Sequence, residues 1–226
     1  MKEQINKKFP LVQRIEYLKE ICRGKKVLHL GCADYPFTEQ AIKAKTHLHF
    51  ELMDIAAELY GFDYDQPGID ILEQHGADKL YRADLEHLED LPLDEKFEVI
   101  VAGEIIEHLS NPGLFLRGIK RFMNSETNLV VTTINAYAGV RFFVYGLRGK
   151  GGTNEPVHPD HVSYYSYKTL SLILNREKLD VNRFAFYDIG TNHRPHDNWR
   201  QLLINDVCVK ISPSWADGII AECSLG

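Results

Sequence analysis

Short apolar runs, each followed by a turn and a stretch of helical spacing, recur along the chain, and this alternation restricts the fold more than any other feature. Val27 to Gly31, Phe97 to Ala102 and Asn128 to Ile134 are almost continuously apolar, the pattern of strands covered on both faces within a parallel sheet. Between and around them, Pro36 opens a helical stretch through Lys45, residues 67–75 read as a helix closed by Gly76, and Asn111-Pro112 begins a helix carrying Phe115, Ile119 and Phe122. Strands are also expected at His47–Asp54, Lys79–Leu85, Val181–Ile189 and Gly218–Cys223, with a helix over Trp199–Ile211. Leu11, Ile15, Leu18 and Cys22 predict a lead-in helix over 10–22, ended by Gly24. The sum is an α/β fold: a seven-stranded, mostly parallel sheet with helices on both faces.

With 226 residues and 44% hydrophobic composition, the chain can bury one substantial core, so residues 1–226 are expected to form one domain with an N-terminal helix within 1–24. Residues 136–170 read as an insertion serving an acceptor site or lid, with Arg148 to Asp160 as a loop rich in Gly and Pro. A net charge of -6 disfavours a nucleic-acid partner, whose phosphates call for clustered Lys and Arg, and fits a small-molecule or sugar acceptor better. Cys22, Cys32, Cys208 and Cys223 lack the spacing of a disulfide or zinc scaffold, which suggests a reducing, cytoplasmic setting. The first residues lack the apolar run of a signal peptide, and no stretch approaches the roughly 20 apolar residues of a membrane span.

Chemistry is expected where strands end. Gly31-Cys32-Ala33-Asp34 follows the first apolar run, and small residues there let backbone N–H groups approach a ligand at the start of a helix. Alone, such a glycine can equally serve a tight turn. Asp54, followed by Ile55, is expected to end the second strand, where a carboxylate accepts ribose hydroxyls. Asp84 ends the third and could take an adenine amino group, with Leu85 covering the ring. Three such features in order along one sheet edge favour a nucleotide site over three separate caps.

Glu104, Glu107 and His108 follow the fourth strand, and a helix there would put all three on one face. Two carboxylates and an imidazole suit a divalent metal or a general base, with His158 or His161 within reach as a further ligand. A salt-bridging cap at a strand end is the plainer alternative. Because the fourth and fifth strands are neighbours in such a sheet, His108 and His161 are expected to meet over one crevice. Tyr137, Tyr145, Tyr164, Tyr165 and Tyr167 read chiefly as packing, Arg141, Arg148 and Lys150 as a solvated face, and residues 192–196 as a surface loop.

On VLHLGC, the acid at the second strand's end, FEVIVAGEIIEHLSNPG and LVVTTIN, residues 25–190 resemble the class I S-adenosylmethionine-dependent methyltransferases. That resemblance implies a Rossmann-like fold with strand order 3-2-1-4-5-7-6 and S-adenosylmethionine as cofactor. It places the methionine part against Gly31, Cys32 and Ala33, the ribose on Asp54 beside Ile55, and adenine against Asp84 and Leu85, with Glu104 also at the cofactor. His29 and Ala33 stand where the family usually has an acid and a glycine, so the first motif is a degenerate copy. A narrower resemblance, to small-RNA 2'-O-methyltransferases, rests on Glu104, Glu107, His108 and His161 and implies a metal held by these four. HPDHVSYYSYKTL and ADGIIAE are similar to segments of methyltransferases from polysaccharide and secondary-metabolite pathways, which implies O-methylation of a sugar or other hydroxyl, with His108 or His161 as base. The rivals are an NAD-linked dehydrogenase, disfavoured by the degenerate glycine motif, and a binding module that keeps the fold without catalysis.

Overall fold

The structure, a computed structural model, describes residues 9–148, 160–188 and 199–226. Eight strands form one sheet: β1 (Leu11–Gln13), β2 (Lys26–Leu30), β3 (Glu58–Asp63), β4 (Leu80–Arg82), β5 (Val99–Gly103), β6 (Asn128–Ile134), β7 (Leu179–Asp188) and β8 (Gly218–Leu225). Their spatial order is β1-β7-β8-β6-β5-β2-β3-β4, with β8 antiparallel to both of its neighbours and every other pairing parallel. Without β1 this is the 3-2-1-4-5-7-6 order implied by the resemblance. The extra strand comes from the expected lead-in helix: Leu11–Gln13 extends and pairs with Phe186–Asp188, and α1 (Arg14–Cys22) begins only afterwards, with the Gln13 side chain accepting from Glu16 N–H.

The apolar runs work as two-faced strands. Leu28, Leu30, Ile100, Ala102, Leu129 and Val131 point into a cluster closed by Phe115, Leu116 and Ile119 of α5 (Pro112–Ile119) and Leu170 and Leu174 of α7 (Tyr167–Arg176). Val27, Val99, Val101 and Val130 alternate with them onto the opposite face, against Tyr17, Leu18 and Cys22 of α1 and Leu52 of α3 (Leu48–Met53). Period-two alternation between two covered faces is why the sequence runs look continuously apolar. Two more helices, α2 (Thr38–Ala44) and α4 (Gln66–Gln74), flank the first crossovers. α6 (Gly139–Arg148) and α8 (Trp199–Ile211) come later in the chain and pack on each other. No helix among the described residues is long and apolar enough to cross a membrane.

The expected strand at His47–Asp54 is instead α3, and the second strand of the parallel series is β3, ending at Asp63. His49 and Leu52, three residues apart, are the buried positions of this short helix, which is helical spacing rather than alternation. α7 has no counterpart among the expected elements. Its start is marked by a reciprocal cap: Ser166 Oγ accepts from Thr169 N–H at 3.4 Å, and Thr169 Oγ1 accepts from Ser166 N–H at 2.8 Å.

Candidate functional site

All parallel strands share one carboxyl edge, and the chemistry gathers there. β2 runs into Gly31, whose backbone is left-handed at φ 67°, with Gly31 N–H and Cys32 N–H both donating to Phe62 C=O at 2.8 and 3.2 Å. A β-carbon on Gly31 would stand 2.1 Å from Ile105 Cδ1, so any side chain here must displace Ile105 as well as adopt the left-handed backbone. Gly31→Ala is therefore expected to lower the thermal midpoint by several degrees, from left-handed strain of about 1–2 kcal/mol plus the clash, and a wild-type melting curve would count against this packing. The side chains of Cys32 and Ala33 are buried with Leu72 and Ala77, so their offer to a ligand is main chain. Ala33 is itself clamped: its N–H donates to Asp63 Oδ2 at 2.8 Å, and its C=O accepts from Thr38 Oγ1 at 2.5 Å and lies 3.1 Å from His47 Nε2. His29 lies beneath this turn, with its Nδ1 3.2 Å from that of His49, and burial holds its imidazole neutral with its pKa well below the usual value.

Asp63, not Asp54, is the carboxylate at the second strand's end. Asp54 closes α3 by backbone hydrogen bonds, and the carbonyl of the next residue, Ile55, accepts Gly24 N–H at 2.8 Å, which puts both residues at the amino ends of the strands, across the sheet from Gly31. Asp63 is 9% exposed, and its Oδ1 accepts Asp65 N–H at 3.0 Å while its Oδ2 holds Ala33. A carboxylate has about four acceptor positions, so roughly two remain for a ribose diol. Burial raises the Asp63 pKa, and the backbone donors pull against that rise. Asp84 follows β4 on the same edge, exposed, with Oδ1 accepting Glu86 N–H at 2.9 Å, and Leu85 is buried in the main core.

After β5 the chain turns rather than forming a helix. Glu104 is left-handed at φ 58°, its N–H donates to Thr132 C=O, and a single turn closes with His108 N–H donating to Ile105 C=O at 3.0 Å. The turn separates the two glutamates. Glu104 Oε1 accepts from Tyr187 Oη, in a short contact, and from Thr132 Oγ1 at 3.4 Å. Glu107 is fully buried: Oε2 accepts from Thr133 Oγ1 at 2.8 Å, and Oε1 has no hydrogen-bond partner. Burial first, and then the charge of Glu104, push the Glu107 carboxyl up to about 8.

His108 and His161 come together. Glu107 C=O accepts Val162 N–H at 2.9 Å and Ser163 N–H at 3.2 Å, and Ala136 N–H donates to Tyr165 C=O at 2.7 Å. These backbone bonds dock the 160–165 segment on the strand ends, leaving the two imidazoles edge to face with ring centroids 4.6 Å apart. Glu107, His108 and His161 each offer one ligand atom, all within 4.8 Å of one another, while Glu104 stays outside this group. His158, Lys150 and residues 192–196 lie outside the described residues. Tyr165 and Tyr167 belong to the core, and the Arg141 guanidinium lies 5.3 Å from the Tyr164 ring centre.

Arg14 has no counterpart among the sequence candidates. It is the first residue of α1, directly after β1, and its Nε is buried without a hydrogen-bond partner. Its Nη2 lies 3.0 Å from where a β-carbon of Gly103 would stand, and its guanidinium carbon lies 5.8 Å from the Tyr187 ring centre. The only signal in the sequence is the short extended segment before the helix, which the helical spacing of Leu11, Ile15 and Leu18 conceals.

The fold that carries these residues has parallels among known proteins. Over the whole fold, a SAM dependent methyltransferase from Archaeoglobus fulgidus superposes with a TM-score of 0.59 at 18% identity, covering 93% of this chain and 91% of that one. A magnesium protoporphyrin IX methyltransferase from Synechocystis, solved with bound SAH, superposes with a TM-score of 0.57 at 12% identity, covering 94% and 82%. In sequence, the ubiquinone biosynthesis O-methyltransferase of Bradyrhizobium diazoefficiens is 27% identical over 175 residues, 72% of this chain and 64% of that protein. Its Azorhizobium caulinodans namesake is 27% identical over 118 residues, 50% and 42%. The chain thus spans less than two thirds of the length of these curated relatives. The family model described as Methyltransferase domain matches residues 2–181, and with the strand order this places the chain in that family, as a class I S-adenosylmethionine-dependent methyltransferase domain.

Proposed function

We propose that the protein transfers the methyl group of S-adenosylmethionine to a hydroxyl of a small-molecule or sugar acceptor. The observation that carries this reading is the pairing of His108 and His161 with buried Glu107, on the same sheet edge as Asp63 and Asp84. O-methylation is also what the two curated relatives are named for.

The residues present fit the cofactor. Asp63 retains acceptor capacity for ribose hydroxyls, and exposed Asp84 would accept from an adenine amino group. Arg14, with its orphaned Nε, suits the carboxylate of the methionine part, and Glu104 its ammonium. When bound, the cofactor supplies an electrophilic methyl on sulfonium, so the protein's main task is alignment. An imidazole nitrogen of His108 or His161 takes the hydroxyl proton as the acceptor oxygen bonds to the methyl carbon and the carbon–sulfur bond breaks. A specific observation favours a second reading, in which Glu107, His108 and His161 hold a divalent ion: a buried carboxylate oxygen without a partner beside two imidazoles is a donor set of borderline hardness. Such an ion would lower the acceptor hydroxyl's pKa as a Lewis acid.

The test is calorimetric titration with S-adenosylmethionine and S-adenosylhomocysteine, followed by a mass-shift screen of phenols, catechols, sugars and amines. Binding together with a gain of one methyl on a hydroxyl is expected. Absence of binding to either nucleoside, or methylation of amines alone, would overturn the reading.

A further inference from the structure

Tyr187 sits near the end of β7, three strand positions from β5, yet it bears on the site. It is fully buried, with its ring lying across Gly218 of β8, where a β-carbon would stand 1.9 Å from Tyr187 Cζ. Only glycine at 218 lets the ring cross that strand toward the β5 end. There the phenol donates to Glu104 Oε1, and Arg14 places its guanidinium carbon 5.8 Å from the ring centre. One buried side chain therefore bears on both an acid and a base at the carboxyl edge of the sheet. Burial and the Glu104 charge also keep the phenol pKa well above its usual value, so it remains a donor.

We infer that Tyr187 is a positioning residue that holds Glu104 and Arg14 as a matched pair for a zwitterionic α-amino acid group, and so sets selectivity for the amino-acid end of the cofactor. This rests on the cofactor reading above. Glu104 adopts a left-handed backbone after the strand, and its remaining hydrogen bond at the same oxygen, from Thr132, is long at 3.4 Å. The Tyr187 hydroxyl is thus the close fixed partner that keeps the carboxylate in one orientation, while the ring face offers Arg14 a cation–π surface. An ammonium and a carboxylate on one carbon need opposite charges fixed close together, which two mobile side chains supply poorly.

The test compares S-adenosylhomocysteine with 5'-methylthioadenosine, which keeps the adenosine and thioether but lacks the amino acid. Wild type should prefer S-adenosylhomocysteine. Tyr187→Phe should weaken S-adenosylhomocysteine about tenfold, the loss of one hydrogen bond to a charged group, while 5'-methylthioadenosine changes less than twofold. Glu104→Gln, which keeps the shape and removes the charge, should show the same selective loss and covers the case in which Tyr187→Phe does not fold. Equal weakening of both ligands, no weakening in a folded Tyr187→Phe, or a wild type without preference between them would overturn the inference. Wild type binding neither ligand would instead overturn the cofactor reading on which it stands.

Discussion

Asp63→Ala is expected to weaken S-adenosylhomocysteine about 100-fold or more, while Asp54→Ala binds as wild type. Two hydrogen bonds from a ribose diol to an ionised acceptor are worth about 1.5–3 kcal/mol each, and losing both exceeds the roughly 2.7 kcal/mol that a factor of 100 represents. Alanine also removes the anchor of Ala33 N–H, so the glycine turn loosens with the same substitution. Asp63→Asn separates the two effects: its amide oxygen can still accept from one backbone donor while the charge is gone, and an intermediate loss of about tenfold is expected. Asp54 ends a helix at the opposite sheet edge, too far from Gly31 to share a ligand. A folded Asp63→Ala that binds with wild-type affinity would remove the ribose assignment, and a comparable loss in Asp54→Ala would contradict the strand registration.

The contrast between these two aspartates shows what the sequence reveals and what it hides. Asn128–Ile134 has the observed boundaries because a strand covered on both faces leaves a continuous apolar run, and Trp199–Ile211 because neither Gly nor Pro interrupts it before Pro213. His47–Asp54 fails because β3 lies in ELYGFD, whose Gly61 and Tyr60 dilute the apolar signal, whereas HLHFELMD mixes apolar and polar residues much as a strand would. Gly61 is needed there, since a β-carbon would stand 2.8 Å from Cys32 Sγ, so tertiary packing chose a residue that local preference disfavours. The His108 and His161 pairing was legible because it follows from strand adjacency and loop position alone. Arg14 and Tyr187 were not, because Arg14 follows β1 and Tyr187 lies on β7, both at the far edge of the sheet, and that requires knowing which strands lie there.

His161→Ala and His108→Ala are each expected to lower kcat about 10²- to 10³-fold with cofactor affinity within twofold of wild type, the range in which positioned proton transfer acts. The pH dependence then separates base from metal. Glu107 titrates near 8 in the folded protein against about 4.3 in an unfolded chain, so between these values the native state binds the extra proton. Stability from this group is complete below the lower value and is lost as pH rises through the upper one, because the slope of unfolding free energy with pH is negative where the folded state holds more protons. An ion bound by Glu107, His108 and His161 must displace that proton, so added Mn2+ or Zn2+ should raise the thermal midpoint more at pH 8.5 than at pH 6, and EDTA should abolish turnover. With imidazole acting alone, neither ion shifts the midpoint through this site and EDTA leaves turnover intact. Wild-type kcat in folded His161→Ala would defeat the metal version and the His161 base, and wild-type kcat in folded His108→Ala as well would defeat both versions, since neither imidazole would then carry any part of the chemistry.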